Sequence, residues 1–213
     1  MSNRKYTFNQ DFFETIDSEE KSYWLGFLAA DGCIRIQKNR YRITLKLAEK
    51  DKNHIEKFKN SIQSNHQIKP RVSNLGYIYF GLTLNSHKMF NDLLDKGLTP
   101  RKSLTLKPPT NVPKELIRHW IRGYFDGDGS IFKRHNRDTL VLSLLGTEEV
   151  LEFVLRESKV DLKVRSKKTS RAYFIQSSYK KALKFFDFIY KDSTIFLERK
   201  NLIYNNFLLK KAA

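Results

Sequence analysis

The chain has 213 residues, 40% of them hydrophobic and sixteen of them Phe, which is enough to bury a real core and argues against disorder. Its formal charge of +17 and pI near 9.9 favour a polyanionic partner, because Lys and Arg gain affinity by displacing counterions condensed around phosphates. A single cysteine, Cys33, excludes an internal disulfide and a Cys-rich zinc module, and the five histidines have no ligand spacing. No apolar run opens the chain or approaches the roughly 20 residues of a membrane span, so a soluble, intracellular protein with no membrane partner is expected.

In chain order, Asp17 and Glu20 form a capping-box pattern ahead of an apolar stretch from Tyr23 to Ala30, predicting a helix that starts near Ser18 and is stopped by glycine at Asp31-Gly32. Ile34, Ile36, Ile43, Leu45 and Leu47 then alternate with Arg35, Gln37, Arg42, Thr44 and Lys46, the period of a hairpin with one buried and one wet face. Asp51 opens an amphipathic helix through Ile55, Phe58 and Ile62 to about Ser64. A second hairpin around the turn Ser73-Asn74-Leu75-Gly76 puts Ile68, Val72, Ile78, Phe80, Leu82 and Leu84 on one side and Lys69, Arg71, Ser73, Tyr77, Tyr79 and Thr83 on the other.

The order then repeats. Trp24-Leu25-Gly26-Phe27-Leu28-Ala29-Ala30-Asp31-Gly32 returns 97 residues later as Ile121-Arg122-Gly123-Tyr124-Phe125-Asp126-Gly127-Asp128-Gly129. Strands near 130–135 and 139–145, a helix from Thr147 to Ser158, and strands near 159–168 and 171–177 follow, with Tyr79-Phe80 matched to Tyr173-Phe174. Thr99–Leu104 is answered by Leu197–Leu202, which places Lys102 and Lys200 98 residues apart. The Pro-rich stretch 106–113 reads as the linker between a first half, 1–105, and a second half, 114–213, that ends in a basic tail; Pro113 suits the first turn of the second motif helix.

Small residues four apart, Gly26 with Ala30 and Gly123 with Gly127, share a helical face and let two helices approach closely. Side by side, such helices bring Asp31 and Asp128 together at two negative dipole ends. The mutual repulsion is relieved by a divalent cation with oxygen ligands, the outline of a metal-dependent phosphodiesterase. A doubled packing interface with no chemistry is the other reading of the same spacing.

These residues resemble the LAGLIDADG homing endonucleases of the single-chain, two-motif type, from about Asn9 to Lys200. The resemblance implies an α+β, pseudo-two-fold fold of two αββαββα halves, packed through the motif helices, each with a four-stranded antiparallel saddle. It also implies a monomer with no obligate protein partner that cuts both strands of a long, asymmetric DNA duplex and leaves 3′ overhangs. The essential acids fall on Asp31 and Asp128, with Ala30 and Gly127 before them in the metal site. The implied metal is Mg²⁺, with Mn²⁺ substituting and Ca²⁺ binding without efficient cleavage. Basic residues near the scissile phosphates fall on Lys102 and Lys200, and a water-positioning residue falls on Lys50, whose counterpart reads as Gly146. Asp126 keeps a usually structural acid that Ala29 replaces in the first copy.

The wet faces display Arg35, Gln37, Arg42, Thr44, Lys46, Lys69, Arg71, Ser73, Tyr77 and Tyr79 in the first half, and Arg134, Ser143, Lys163, Arg165, Lys167, Arg171 and Tyr173 in the second. A curved sheet with such side chains suits a major groove. An intron maturase that binds host RNA and a catalytically silent DNA-binding regulator are the rivals; retention of both acids favours cleavage. The termini lack splice-junction residues, so a complete intein is not expected.

Overall fold

The computed structural model describes residues 6–134, 139–167 and 172–212. The first half runs α1 (Glu19–Asp31), β1 (Gly32–Gln37), β2 (Arg40–Ala48), α2 (Lys52–Ser61), β3 (Pro70–Val72), β4 (Ile78–Asn85) and α3 (His87–Asp95). The second runs α4 (Ile117–Asp128), β5 (Gly129–Lys133), β6 (Leu140–Gly146), α5 (Glu148–Ser158), β7 (Arg165–Ser166), β8 (Tyr173–Ser178) and α6 (Tyr179–Tyr190), and α7 (Glu198–Ala212) follows it. Each half holds one antiparallel four-stranded sheet, ordered β1-β2-β4-β3 and β5-β6-β8-β7. The α+β, two-half architecture expected from the sequence is therefore present. The basic tail is instead the end of a fifteen-residue helix, and stretch 106–113 is docked: Leu106 is buried, and its carbonyl accepts from Thr147 Oγ1.

The hydrophobic alternation places one face of each sheet on the helices. Ile34, Ile43, Leu45, Leu47, Phe80, Leu82 and Leu84 are buried in the first half, and Ile131, Leu142, Leu144 and Ile175 in the second. Ile36, Val72 and Ile78 depart from the expected burial. They are 58%, 67% and 43% exposed because they lie toward the outer ends of the sheet, two of them on its edge strands. Helix α1 is capped by Ser18, whose Oγ accepts from Lys21 N, rather than by the expected Asp17–Glu20 box; Asp17 pairs with Lys21 and Glu20 accepts from Ser61. Helix α2 stops at Ser61, three residues early. Asp51 makes no cap bond, because its carboxylate is held by Arg199.

Helices α1 and α4 form the centre, and their contact is backbone on backbone. A Cβ on Gly26 would fall on the Trp120 carbonyl oxygen, a Cβ on Gly123 on that of Tyr23, and a Cβ on Gly127 on Ala30 Cβ. Gly26, Ala30, Gly123 and Gly127 all lie in this contact. Gly32 and Gly129, which end the helices, are extended at φ −73° and −86° and not left-handed. Their requirement is space, since a Cβ there would strike Leu28 O and the Phe125 ring.

A buried polar cluster stitches the halves beside this contact. Asp126 Oδ2 accepts from Tyr23 Oη (2.8 Å) and Leu197 N (2.7 Å), and Oδ1 accepts from Tyr190 Oη (2.6 Å). Tyr23 has spent its proton on Asp126, so it must accept from His54 Nε2 at 2.9 Å. His54 is then the neutral Nε2–H tautomer, and its buried Nδ1 finds no partner among the described residues. Burial, then the charges of Lys57 and Arg199, push its pKa down to about 3. At the opposite end, buried Arg122 donates to Glu19 Oε1 (2.5 Å) and to the Ile189 and Ile195 carbonyls.

Helix propensity alone would make Gly26→Ala stabilising by about 1 kcal/mol. The collision with the Trp120 backbone outweighs it, and a net loss of about 1–3 kcal/mol is expected in chemical denaturation; Gly81→Ala, whose Cβ would meet Lys46 Cγ at an ordinary 3.5 Å, should lose far less. For His54, the unfolded chain takes up a proton near pH 6.5 that the folded chain refuses until about 3. Its contribution is therefore complete above pH 6.5 and is lost as the pH falls toward 3. The urea midpoint should fall between pH 7.5 and pH 5 in the wild type and fall less in His54→Gln; equal falls would rule out this origin.

Candidate active site

Helices α1 and α4 end side by side, so the acids at their last positions emerge at one place between the two sheets. A Cβ on Gly127 would lie 3.5 Å from Asp31 Oδ2. Each acid keeps an outer edge in solvent while protein closes round the other sides. Loss of water raises both pKa values; for Asp128 the neighbouring Asp31 charge adds to it, and the value is pushed up to about 6. A cavity of about 220 Å³ beside Asp128 is lined by Ala30, Lys102, Tyr124, Gly146 and Thr147, and one of about 180 Å³ beside Asp31 by Cys33, Arg35, Thr44 and Lys46.

The two lysines close the helix ends. Lys102 Nζ donates to Ala30 O at 2.9 Å, and Lys200 Nζ donates to the carbonyls of Phe125 (2.8 Å), Asp126 (2.7 Å) and Gly129 (2.5 Å). Cations there bond carbonyls at the helix ends, of which Phe125 O also accepts from Gly129 N, and oppose the negative dipole ends. Lys200 is 2% exposed and has spent its three protons, so it does not offer the phosphate contact expected of it. Desolvation lowers the Lys200 pKa to about 8, against the raising effect of Asp126, and lowers that of Lys102 as well. Each lysine acts most strongly on the other half's acid: Asp31 feels Lys200 more than Lys102, and Asp128 feels Lys102 more than Lys200. Arg199 reaches across from α7 to grip Asp51 in two bonds, 2.8 and 3.1 Å, and its charge also lowers the pKa of Asp31. Sequence reasoning passed over Arg199, although the matched segments containing Lys102 and Lys200 had displayed it.

Lys50 is exposed on the 3-10 turn Glu49–Asp51 that leads into α2. Strand pairing does not reach it, because β2 ends at Ala48 and β6 at Gly146. Helices α2 and α5 match through their N-cap residues Asp51 and Thr147 and through His54, Ile55 and Phe58, buried as Val150, Leu151 and Val154 are. The residue before the cap is thus Lys50 in one half and Gly146 in the other, and the halves differ in charge at this point. In the sheet Gly146 stands where Leu47 does; a Cβ there would meet the Tyr124 hydroxyl, which donates to Leu145 O.

The expected reading face is partly assembled. Arg35, Gln37, Arg42, Thr44 and Lys46 share the side of the first sheet away from its core, with Arg71 and Tyr79, which pair with each other. Arg42 donates to Gln37 Oε1 at 2.7 Å, and Lys46 lies over the Tyr79 ring. Lys69 and Tyr77 lie outside the short β3 and β4, and Ser73 is used by its turn, accepting from Tyr77 N. In the second half Ser143 sits in mid-sheet, Arg165 is on β7, and Arg134, Lys163 and Lys167 are exposed just outside strands. Arg171 lies outside the described residues.

Tyr173 does not join the outward face with Tyr79. It pairs with Gly146, whereas Tyr79 pairs with Ala48, so Tyr173 corresponds to the inward Phe80 and is one residue out of the proposed match. Its hydroxyl bonds Glu148 at the start of α5, and that charge raises its pKa. The stretch from Gly146 to Tyr173 is six residues shorter than that from Leu47 to Phe80, so similarity of residue type placed the match one position off.

No protein-family model matches the chain. Two curated proteins of Methanocaldococcus jannaschii are similar at 29% identity. One is a probable translation initiation factor IF-2, matched over 171 residues that make up 76% of this chain and 13% of that protein. The other is the uncharacterized protein MJ0314, matched over 123 residues, 54% of this chain and 42% of that one. The chain spans less than half the length of either. Among solved structures, it resembles the homing endonuclease I-WcaI bound to its DNA recognition sequence (TM-score 0.61, 17% identity, 90% of each chain). It also resembles the LAGLIDADG meganuclease I-AabMI bound to uncleaved DNA (TM-score 0.55, 17% identity, 89% of this chain and 91% of that one). A third is the LAGLIDADG homing endonuclease I-LtrWI bound to target DNA (TM-score 0.54, 14% identity, 96% and 92%). With its two matched halves, paired motif helices and twin four-stranded sheets, the chain has the single-chain LAGLIDADG homing endonuclease fold.

Proposed function

We propose that the protein is a divalent-metal-dependent DNA endonuclease that cuts both strands of a long, asymmetric duplex and leaves 3′ overhangs. The observation that carries this reading is the convergence of Asp31 and Asp128 at the ends of two abutting helices, between two outward-facing sheets. Solved structures of the same fold are DNA-bound homing endonucleases, which agrees with it.

The donor set suits a hard cation. Two carboxylates that repel each other are available, and no cluster of three or more His, Cys, Asp or Glu occurs among the described residues. Magnesium ordinarily takes one or two carboxylates and completes its shell with water and substrate phosphates. Asp31 and Asp128 would hold it; Ala30 and Gly127 have only carbonyls to offer, and that of Ala30 already accepts from Lys102. When bound, the cation supplies Lewis-acid stabilisation of the attacked phosphate and a lowered pKa for water. The chain's own part is to hold the acids ionised and fixed: Lys102 and Lys200 offset their mutual repulsion and pin the helix ends that carry them. The basic face of the first sheet then fixes the duplex relative to the acids through base edges and phosphates.

Asp31→Asn and Asp128→Asn should each cut the rate of double-strand cleavage by about 10²-fold or more while leaving duplex affinity within a few-fold. Cleavage of a plasmid carrying the selected site, read beside gel-shift affinity, tests this, and near-normal cleavage by either variant refutes the two-acid mechanism. Lys102→Met and Lys200→Met should both slow single-turnover cleavage by about 10- to 1000-fold. Lys200→Met should in addition lose about 1–3 kcal/mol of stability, because it removes three bonds to backbone carbonyls, of which Phe125 O keeps the Gly129 amide, whereas Lys102→Met removes one. Equal melting temperatures for the two variants would overturn the distinction.

A further inference from the structure

Once the two acids are matched, strand register puts the sheets into correspondence residue by residue. Arg35, Arg42 and Lys46 of the first sheet then correspond to Phe132, Val141 and Leu145 of the second, and Gly81 to Phe174. Three cations on one face are thus three apolar side chains on the other. Val141 is covered, but Phe132 and Leu145 are 43% and 39% exposed and Phe174 is half-buried. Leu145 pairs directly with Phe174, and the row between them and Phe132 carries only Ser130, Ser143 and Gln176. Of the cations expected on this face, Arg134, Lys163 and Lys167 are exposed just outside the strands, and Arg165 pairs with Phe174 at the edge.

An apolar floor with a basic rim is matched by a surface whose outside is anionic and whose interior presents apolar groups. The major groove has one such group, the C5-methyl of thymine, lying between two phosphate backbones. Guanine and cytosine edges would lose water against Phe and Leu without gaining a hydrogen bond. We infer that the second sheet reads its half-site through thymine methyl groups, with Phe132, Leu145 and Phe174 as the contacts, while the first sheet reads by hydrogen bonding from Arg35, Arg42 and Lys46. The inference rests on the duplex-cleavage reading above and adds the base class and the half that selects it.

The full chain is used to select its target from a randomised duplex library with Mg²⁺, and affinity for the selected duplex is then measured in Ca²⁺. Uracil replaces thymine in one half-site at a time, which removes only the methyl groups. Substitution in one half-site should weaken binding by about 3- to 10-fold, on the order of one buried methyl per factor of about four, and substitution in the other by less than about 2-fold. Selection repeated with the double variant Phe132→Arg, Leu145→Lys should change the preferred bases within the uracil-sensitive half-site and leave the other unchanged. Equal sensitivity of both half-sites, or of neither, overturns the inference and leaves the nuclease reading standing, as does a variant that alters bases in the insensitive half. If the double variant instead converts a dimer to a monomer at unchanged base preference, the apolar face joins two copies of the chain and the inference is wrong. Failure to select any duplex brings down the nuclease reading and this inference together.

Discussion

Two helices can lie backbone on backbone only where neither has a side chain in the way, and α1 and α4 meet this condition at Gly26 against Trp120 and Gly123 against Tyr23. Both glycines give up helix propensity for that contact. The spacing it sets decides the position of everything attached to the helix ends. Asp31 and Asp128 are the last residues of those helices, and the strands β1 and β5 begin at the next residues. A displacement of the interface would therefore move the acids apart and tilt both sheets together, so site and surface are built from one contact.

The pseudo-symmetry is exact enough to duplicate the fold but not its polar interior. Asp126 is held by Tyr23, Tyr190 and the Leu197 amide, where the first half has Ala29, and Lys200 spends itself on three carbonyls where Lys102 spends one bond. Helix α7, with no equivalent among the described residues of the first half beyond the 3-10 turn Lys102–Leu104, carries both Lys200 and Arg199. The second half thus supplies a clamp for the first: Arg199 reaches Asp51, and Arg122 reaches Glu19. Buried ionic groups of this kind contribute little net stability when compared with apolar replacements, but each is costly to break singly. Their effect is to fix one relative placement of the halves.

The reading surfaces diverge further than the site does. Strand pairing constrains only the inward residues, which must fill the core, and leaves outward ones free to vary. Matching outward positions accordingly carry Arg35, Arg42 and Lys46 in one half and Phe132, Val141 and Leu145 in the other, while the acids and the interface glycines are matched.

Much of this was legible in the chain itself, because the features concerned are local. The small residues four apart, the Asp-Gly ends and the period-two strands each follow from neighbours within a few positions, and their repetition 97 residues on announced two halves and two convergent acids. The pairing of Lys102 with Lys200 was visible in the same way. What the sequence alone left open depended on partners far along the chain. Only the fold decided that Lys200 is buried on carbonyls, that Arg199 holds Asp51, and that Tyr23 fixes the tautomer of His54. Register was lost for a related reason: the connections between strands differ in length in the two halves, two residues longer between β5 and β6 and six shorter between β6 and β8, so Tyr173 was placed one residue out. Local periodicity says which residues share a face; only hydrogen-bonded pairing across strands says which residue stands opposite which, and hence what each face presents.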